Sequence, residues 1–131
     1  MELNLQLNTF IDLSELDDIF GEMDSKETLE TIEGLYSDFL LKLRELIFSM
    51  DKLDLDTFKL KAHSLKSNCC YLGANKLNKE SYQLELTESF YSDEFHQHWE
   101  SFNKTFQSTI NEIKIAMAEL QTKESSNGKA K

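Results

Sequence analysis

No proline interrupts the 131 residues of the chain, so only glycine, polar caps or the loss of an apolar stripe can end a helix in it. Over long stretches the apolar residues recur in steps of three and four, the period of an α-helix that buries one face. Sandwiches, barrels and collagen-like repeats need frequent turn or breaker residues, and 0 Pro with 4 Gly does not supply them. The expected fold class is therefore all-α. At this length, with 40% hydrophobic residues, the chain suits one compact domain with a core of its own.

Asn8 to Gly21 carries Ile11, Leu13, Leu16, Ile19 and Phe20 at near-helical spacing, with Ser14 placed to cap a short first helix and Gly21 to stop it. Asp24 and Glu27 form a capping-box pair. After them Leu29, Ile32, Tyr36, Phe39, Leu43, Leu46 and Met50 mark a long second helix. Asp51 or Asp54 begins a third, with Leu55, Phe58, Ala62, Leu65, Cys69 and Leu72 leading to Gly73. Asn75 is placed to cap a fourth helix through Leu77, Tyr82, Leu84, Leu86 and Phe90. Ser92, followed by Asp93 and Glu94 where the helix dipole favours acids, opens a last helix through Phe95, Trp99, Phe102, Phe106, Ile110, Ile113, Met117 and Leu120. Short connections put successive helices antiparallel, which predicts an up-and-down four-helix bundle with the short N-terminal helix as an addition. The domain is expected over residues 1–121, and residues 122–131, T-K-E-S-S-N-G-K-A-K, as a tail with nothing to bury.

Asp plus Glu exceed Lys plus Arg by 24 to 14, a net charge of −10, which disfavours nucleic acid and anionic lipid as partners. There is no run of about 18 apolar residues, and M-E-L-N-L-Q-L-N lacks the basic start and apolar core of a secretory signal. A cytoplasmic location and no membrane association are expected. Cys69 and Cys70 are adjacent, where a disulfide would be strained, so both are read as thiols. Cys69 falls on the core stripe and Cys70 beside the polar face.

At about 100 degrees per residue, His63 lies roughly 130 degrees from the centre of the third helix's apolar stripe, facing water. Lys66 and Ser67 follow three and four residues on and share its surface, with Lys59, Cys70 and Asp56 nearby. Leu60, one turn before His63, also points away from the core, which suits contact with a partner. A solvated imidazole is largely neutral at physiological pH and carries a free lone pair, so it is a nucleophile without a dedicated base. Phosphorus is a suitable electrophile. A phosphoryl group there would bring negative charge that Lys66 can offset. Nothing in the chain resembles a phosphate-cradling glycine loop or a kinase signature, so such a helix carries a phosphoryl group without activating ATP.

The stretch A-H-S-L-K-S-N-C-C-Y-L-G-A-N-K-L from Ala62 to Leu77, with Leu84 and Glu85 after it, resembles the histidine-containing phosphotransfer (HPt) domain of multistep phosphorelays. The resemblance implies a monomeric four-helix bundle whose histidine takes a phosphoryl group from the aspartate of one receiver domain and passes it to another. His63 matches the phospho-accepting residue, Lys66 the basic residue that steadies the phosphoryl group, and Gly73 the glycine closing that helix. Leu60, Lys59, Ser67 and Cys70 fall on the implied docking surface. The implied partners are receiver domains of a hybrid sensor histidine kinase and of a response regulator. Such a chain is a phosphocarrier, not an enzyme by itself, and holds no cofactor, with Mg2+ expected in the receiver. The family usually has Gly after the Lys, where this chain has Ser67, which predicts retained docking with altered partner preference.

A lone exposed His on a helix is ordinarily only a solvated residue, and a non-catalytic helical adaptor, binding a partner helix or dimerising through Leu60, is the alternative. A third reading is a zinc site joining Cys69 or Cys70 to His96 or His98, although two histidines two apart on a helix chelate poorly. The series Phe95, Trp99, Phe102 and Phe106 has core spacing and is read as packing.

Overall fold

Five helices and no strand occur among residues 10–129, the part of the chain that the computed structural model describes, with side chains to residue 125. They are α1 (Ser14–Phe20), α2 (Ser25–Asp51), α3 (Leu55–Tyr71), α4 (Asn75–Glu85) and α5 (Asp93–Lys129). Asn8, where the first segment was placed, lies outside the described residues, as do residues 130–131.

Three starts follow the predicted caps. Asp24 Oδ1 accepts from Glu27 N at 2.8 Å, Asp54 Oδ1 from Thr57 N at 3.1 Å, and Ser92 Oγ from Phe95 N at 3.0 Å, each satisfying an amide that a helix start leaves unpaired. Two starts differ. Ser14 and Asn75 are the first helical residues, and Leu13 and Ala74 precede them without a side-chain cap. At α1 the acceptor is Asp12, whose Oδ1 takes both Ser14 N at 3.1 Å and Ser14 Oγ at 2.7 Å. At α4 the chain comes straight out of the tight end of α3, and backbone bonds, Asn75 N to Gly73 O and Asn78 N to Ala74 O, make the joint.

The fourth helix also ends sooner than its stripe predicts. Leu86 N bonds back to Tyr82 O and Gln83 O, and Thr87 N to Leu84 O, tightening the last turn. Phe90 then leaves helical spacing to pack edge-on against Phe58, with ring centroids 5.1 Å apart. Tyr82 and Leu86, assigned to that stripe, are exposed. The last helix departs in the other direction and runs to Lys129, across residues expected to form a structureless tail. Absence of apolar residues was the wrong criterion there. Once a helix is nucleated, extending it fixes one residue per added bond, and no breaker precedes Gly128.

α2 and α4 each pack against α3 and α5, and α1 packs on α3. Phe39 and Leu46 of α2, Phe58 and Leu65 of α3, Leu77 and Leu84 of α4, and Phe102 and Phe106 of α5 are fully or almost fully buried between them. Burial of each such side chain contributes about 2 kcal/mol. Phe58 reaches across the interior, its ring 5.7 Å from Phe95 and 6.1 Å from Trp99.

Polar contacts fix the rotation of α3. On its α2 side, Lys61 Nζ lies 2.6 Å from Glu45 Oε2, and Asn68 Nδ2, seven residues on and therefore on the same face, donates to Asp38. These partners commit one flank of α3 to α2. Phe58, Ala62, Leu65 and Cys69 commit the next to the core.

Both ends of the α2–α3–α4 succession use the same closure, with the residue past the helix in the left-handed region. At the end of α3 this is Gly73 (φ 58), where Ala74 N bonds to Cys69 O and Gly73 N to Cys70 O. At the end of α2 it is Leu53 (φ 55), where Asp54 N bonds to Ser49 O and Leu53 N to Met50 O. A side chain in that region costs about 1 kcal/mol, and Leu53 is exposed and contributes little burial in return. Leu53→Gly is thus expected to stabilise the fold by about 0.5–1 kcal/mol, read as a higher urea midpoint; a lower midpoint would contradict the account.

The segment before α1 is tied at two points. Asp12 N donates to Leu72 O at 2.7 Å, and the carboxylate of Glu112, buried on α5, accepts from Phe10 N at 3.1 and 3.2 Å and from Ile11 N at 3.4 Å. No helix among the described residues is long and apolar enough to cross a membrane.

Candidate functional site

The flank of α3 left uncommitted by α2 and the core carries His63. Its side chain is 55% exposed, as the helical spacing predicts. Leu60 before it is 64% exposed, and Ser67 and Cys70 after it are exposed as well. Lys59 is half-buried at the edge of the same strip. Ser67 Oγ donates to His63 O at 3.4 Å and Cys70 Sγ lies 3.9 Å from Lys66 O, so both point back along the helix and leave the surface beside the imidazole low.

The residue that organises this strip comes from α4. Glu85 Oε1 lies 2.7 Å from His63 Nδ1, and Glu85 Oε2 lies 3.0 Å from Lys66 Nζ. One carboxylate thus joins the two residues that the sequence singled out. An ionised carboxylate only accepts hydrogen bonds, so in the neutral ring the hydrogen sits on Nδ1 and the lone pair on Nε2. The lone pair is thus on the nitrogen that Glu85 does not hold, and the hydrogen bond fixes the tautomer and orientation of the ring. Lys66, expected on the same surface as the imidazole, is held there through Glu85 and is 26% exposed.

In the sequence Glu85 stands out only as the second half of the Leu84-Glu85 pair, with no role attached to it. The signal was a charged residue immediately after a buried Leu84, one step round α4 toward α3, but its partners lie 22 and 19 residues away and nothing local names them. Partial burial of the carboxyl works to raise its pKa, and the hydrogen bonds and charges of Lys66 and His63 outweigh it, leaving Glu85 below its ordinary value of 4.5. In this range the unfolded chain binds more protons at this group than the folded one, so its contribution to stability is present above about pH 4.5 and lost as pH falls through the lowered value. The stability difference between wild type and Glu85→Gln should therefore shrink as urea titrations move from pH 6 to about pH 3; a difference that grows would reverse the assignment.

Gly73 closes α3 as expected. Cys69 is buried and Cys70 exposed, and burial pushes the Cys69 thiol up, which keeps it protonated and inert. His98 Nε2 lies 3.6 Å from Glu94 Oε1 on its own helix. Among the described residues no group of three or more His, Cys, Asp or Glu is arranged to hold a metal ion, so the structure brings together no donor set for the zinc reading. No family model, no curated protein and no solved structure matches the chain.

Proposed function

We propose that this chain is a histidine phosphotransfer protein of the HPt kind, with its four long helices forming an up-and-down antiparallel bundle and α1 set against the end of α3. The observation that carries the reading is an exposed imidazole whose Nδ1 is held at 2.7 Å by a carboxylate that also holds a lysine. That arrangement supplies what phosphoryl transfer asks of an acceptor: one oriented lone pair and a nearby cation.

The Nε2 lone pair of His63 bonds to phosphorus as the bond from phosphorus to the aspartyl oxygen of a receiver domain breaks, and the aspartate leaves as a carboxylate. Positive charge that develops on the ring is met by Glu85 through Nδ1–H, as in other carboxylate–histidine pairs. Lys66 offsets charge on the phosphoryl oxygens. Passage to a second receiver reverses these steps. Mg2+ and the remaining cationic groups belong to the receiver, so the chain acts as a carrier and not as an enzyme alone. Leu60, Lys59, Ser67 and Cys70 form the surface against which a receiver would dock, and the protein is read as a cytoplasmic monomer.

Incubation with a phosphorylated receiver domain tests this. The wild type should take up label that is acid-labile and base-stable, and His63→Gln should take up none. Equal labelling of both, or of neither, would favour the adaptor reading, to which Leu60 at 64% exposure is also suited.

A further inference from the structure

Three successive turns of α4 meet a single residue of α3. Asn78 Nδ2 donates to the main-chain oxygen of Lys66 at 2.9 Å. Lys66 Nζ stands 4.9 Å from the centroid of the Tyr82 ring. Glu85 Oε2 takes a hydrogen bond from the same ammonium at 3.0 Å. The spacing of four and then three residues puts Asn78, Tyr82 and Glu85 on one face of α4, so the helix holds Lys66 by its backbone, its cationic end and one of its N–H groups.

We propose that Tyr82 is a positioning residue for phosphoryl transfer, acting through Lys66; the inference rests on the function proposed above. A cationic end group has three N–H donors. Glu85 occupies one. Attraction between a cation and the face of a ring has no donor–acceptor axis, so Tyr82 restrains the ammonium without using a second donor, and two stay available for phosphoryl oxygens. A second carboxylate in its place would compete with the incoming group for those donors. A merely aliphatic neighbour would leave the four-carbon stem free to turn into solvent, at a cost in side-chain entropy when the phosphoryl group arrives. Tyr82 is also 44% exposed, more than core packing requires, although its spacing was that of a core residue. The contact with Lys66 accounts for an aromatic ring at that place.

The test uses potassium phosphoramidate as donor, which needs no receiver domain. Nε2 of His63 bonds to phosphorus, the phosphorus–nitrogen bond of the donor breaks, and ammonia leaves with that electron pair, while the ring keeps its hydrogen on Nδ1. Tyr82→Leu should lower the rate of phosphohistidine formation about fivefold, Tyr82→Phe should restore it to within about twofold of wild type, and Tyr82→Leu should have no effect in a Lys66→Met background. In parallel, NMR should find the Lys66 ε-CH2 protons shifted upfield by the ring in wild type and Tyr82→Phe, and returned to ordinary positions in Tyr82→Leu. Full activity of Tyr82→Leu, or an equal loss in the Lys66→Met background, would overturn the assignment. If wild type itself forms no phosphohistidine, the proposed function fails instead, and the assignment of Tyr82 to transfer falls with it.

Discussion

Glu85→Ala is expected to slow phosphoryl uptake by His63 about a hundredfold, and Glu85→Gln about tenfold. The two values differ for a structural reason. Alanine removes both hydrogen bonds at once, so the hydrogen of the neutral ring is free to move to Nε2, which then has no lone pair to offer, and Lys66 loses its anchor. Glutamine keeps a carbonyl oxygen that can accept from Nδ1–H at the 2.7 Å position, and so preserves the tautomer. Its amide end, however, donates where Lys66 also donates at 3.0 Å, and that contact becomes repulsive. Time courses of label transfer from a phosphorylated receiver domain measure both. If Glu85→Ala stays within about twofold of wild type, orientation of the imidazole is not what the carboxylate contributes.

Gly73→Ala is expected to destabilise the fold by about 3 kcal/mol. Part of this is conformational, because a side chain in the left-handed region costs about 1 kcal/mol. The rest is collision: a Cβ at Gly73 would lie 2.7 Å from Asp12 Cβ and 2.8 Å from Asp12 O. Asp12 cannot step aside cheaply, since its N–H is bonded to Leu72 O and its side chain caps Ser14. Gly34 gives the contrast. It sits within α2 with nothing inside 4 Å of an added Cβ, and Gly34→Ala should stabilise by about 0.5–1 kcal/mol. Urea midpoints for both variants check the pair. A Gly73→Ala loss under about 1 kcal/mol would mean that the Asp12 segment yields readily.

Much of this was legible from residue order alone, and the parts that were share a character. The caps at Asp24, Asp54 and Ser92 act on amides three residues away, and the outward placement of His63 follows from a periodicity contained within α3. Local rules reach that far. The contacts of Glu85 with His63 and Lys66, and of Tyr82 with Lys66, arise where two helices meet, where the rotation of each about its own axis decides which side chains touch, and that rotation is set in part by Lys61 and Asn68 on the opposite flank. Ser14 and Asn75 failed as caps for a more local reason: the Asp12 side chain, two residues earlier, took that work at α1, and at α4 backbone bonds to Gly73 O and Ala74 O made the joint where the chain leaves the tight end of α3. Phe90 left its helical register because the Phe58 ring was a better neighbour than solvent, again a matter of what lies across the interior.

The chain's one tryptophan stacks between Phe95 and Phe102 and lies 6.1 Å from Phe58 on the helix that bears His63. Its emission is therefore a built-in optical reporter of the N-terminal end of that helix. Gly73 stands at the other end, 15 positions along and about 22 Å away. Followed together with circular dichroism in a Gly73 variant, the indole signal would distinguish fraying confined to one end from a single cooperative melting of the whole, with no label attached near the imidazole.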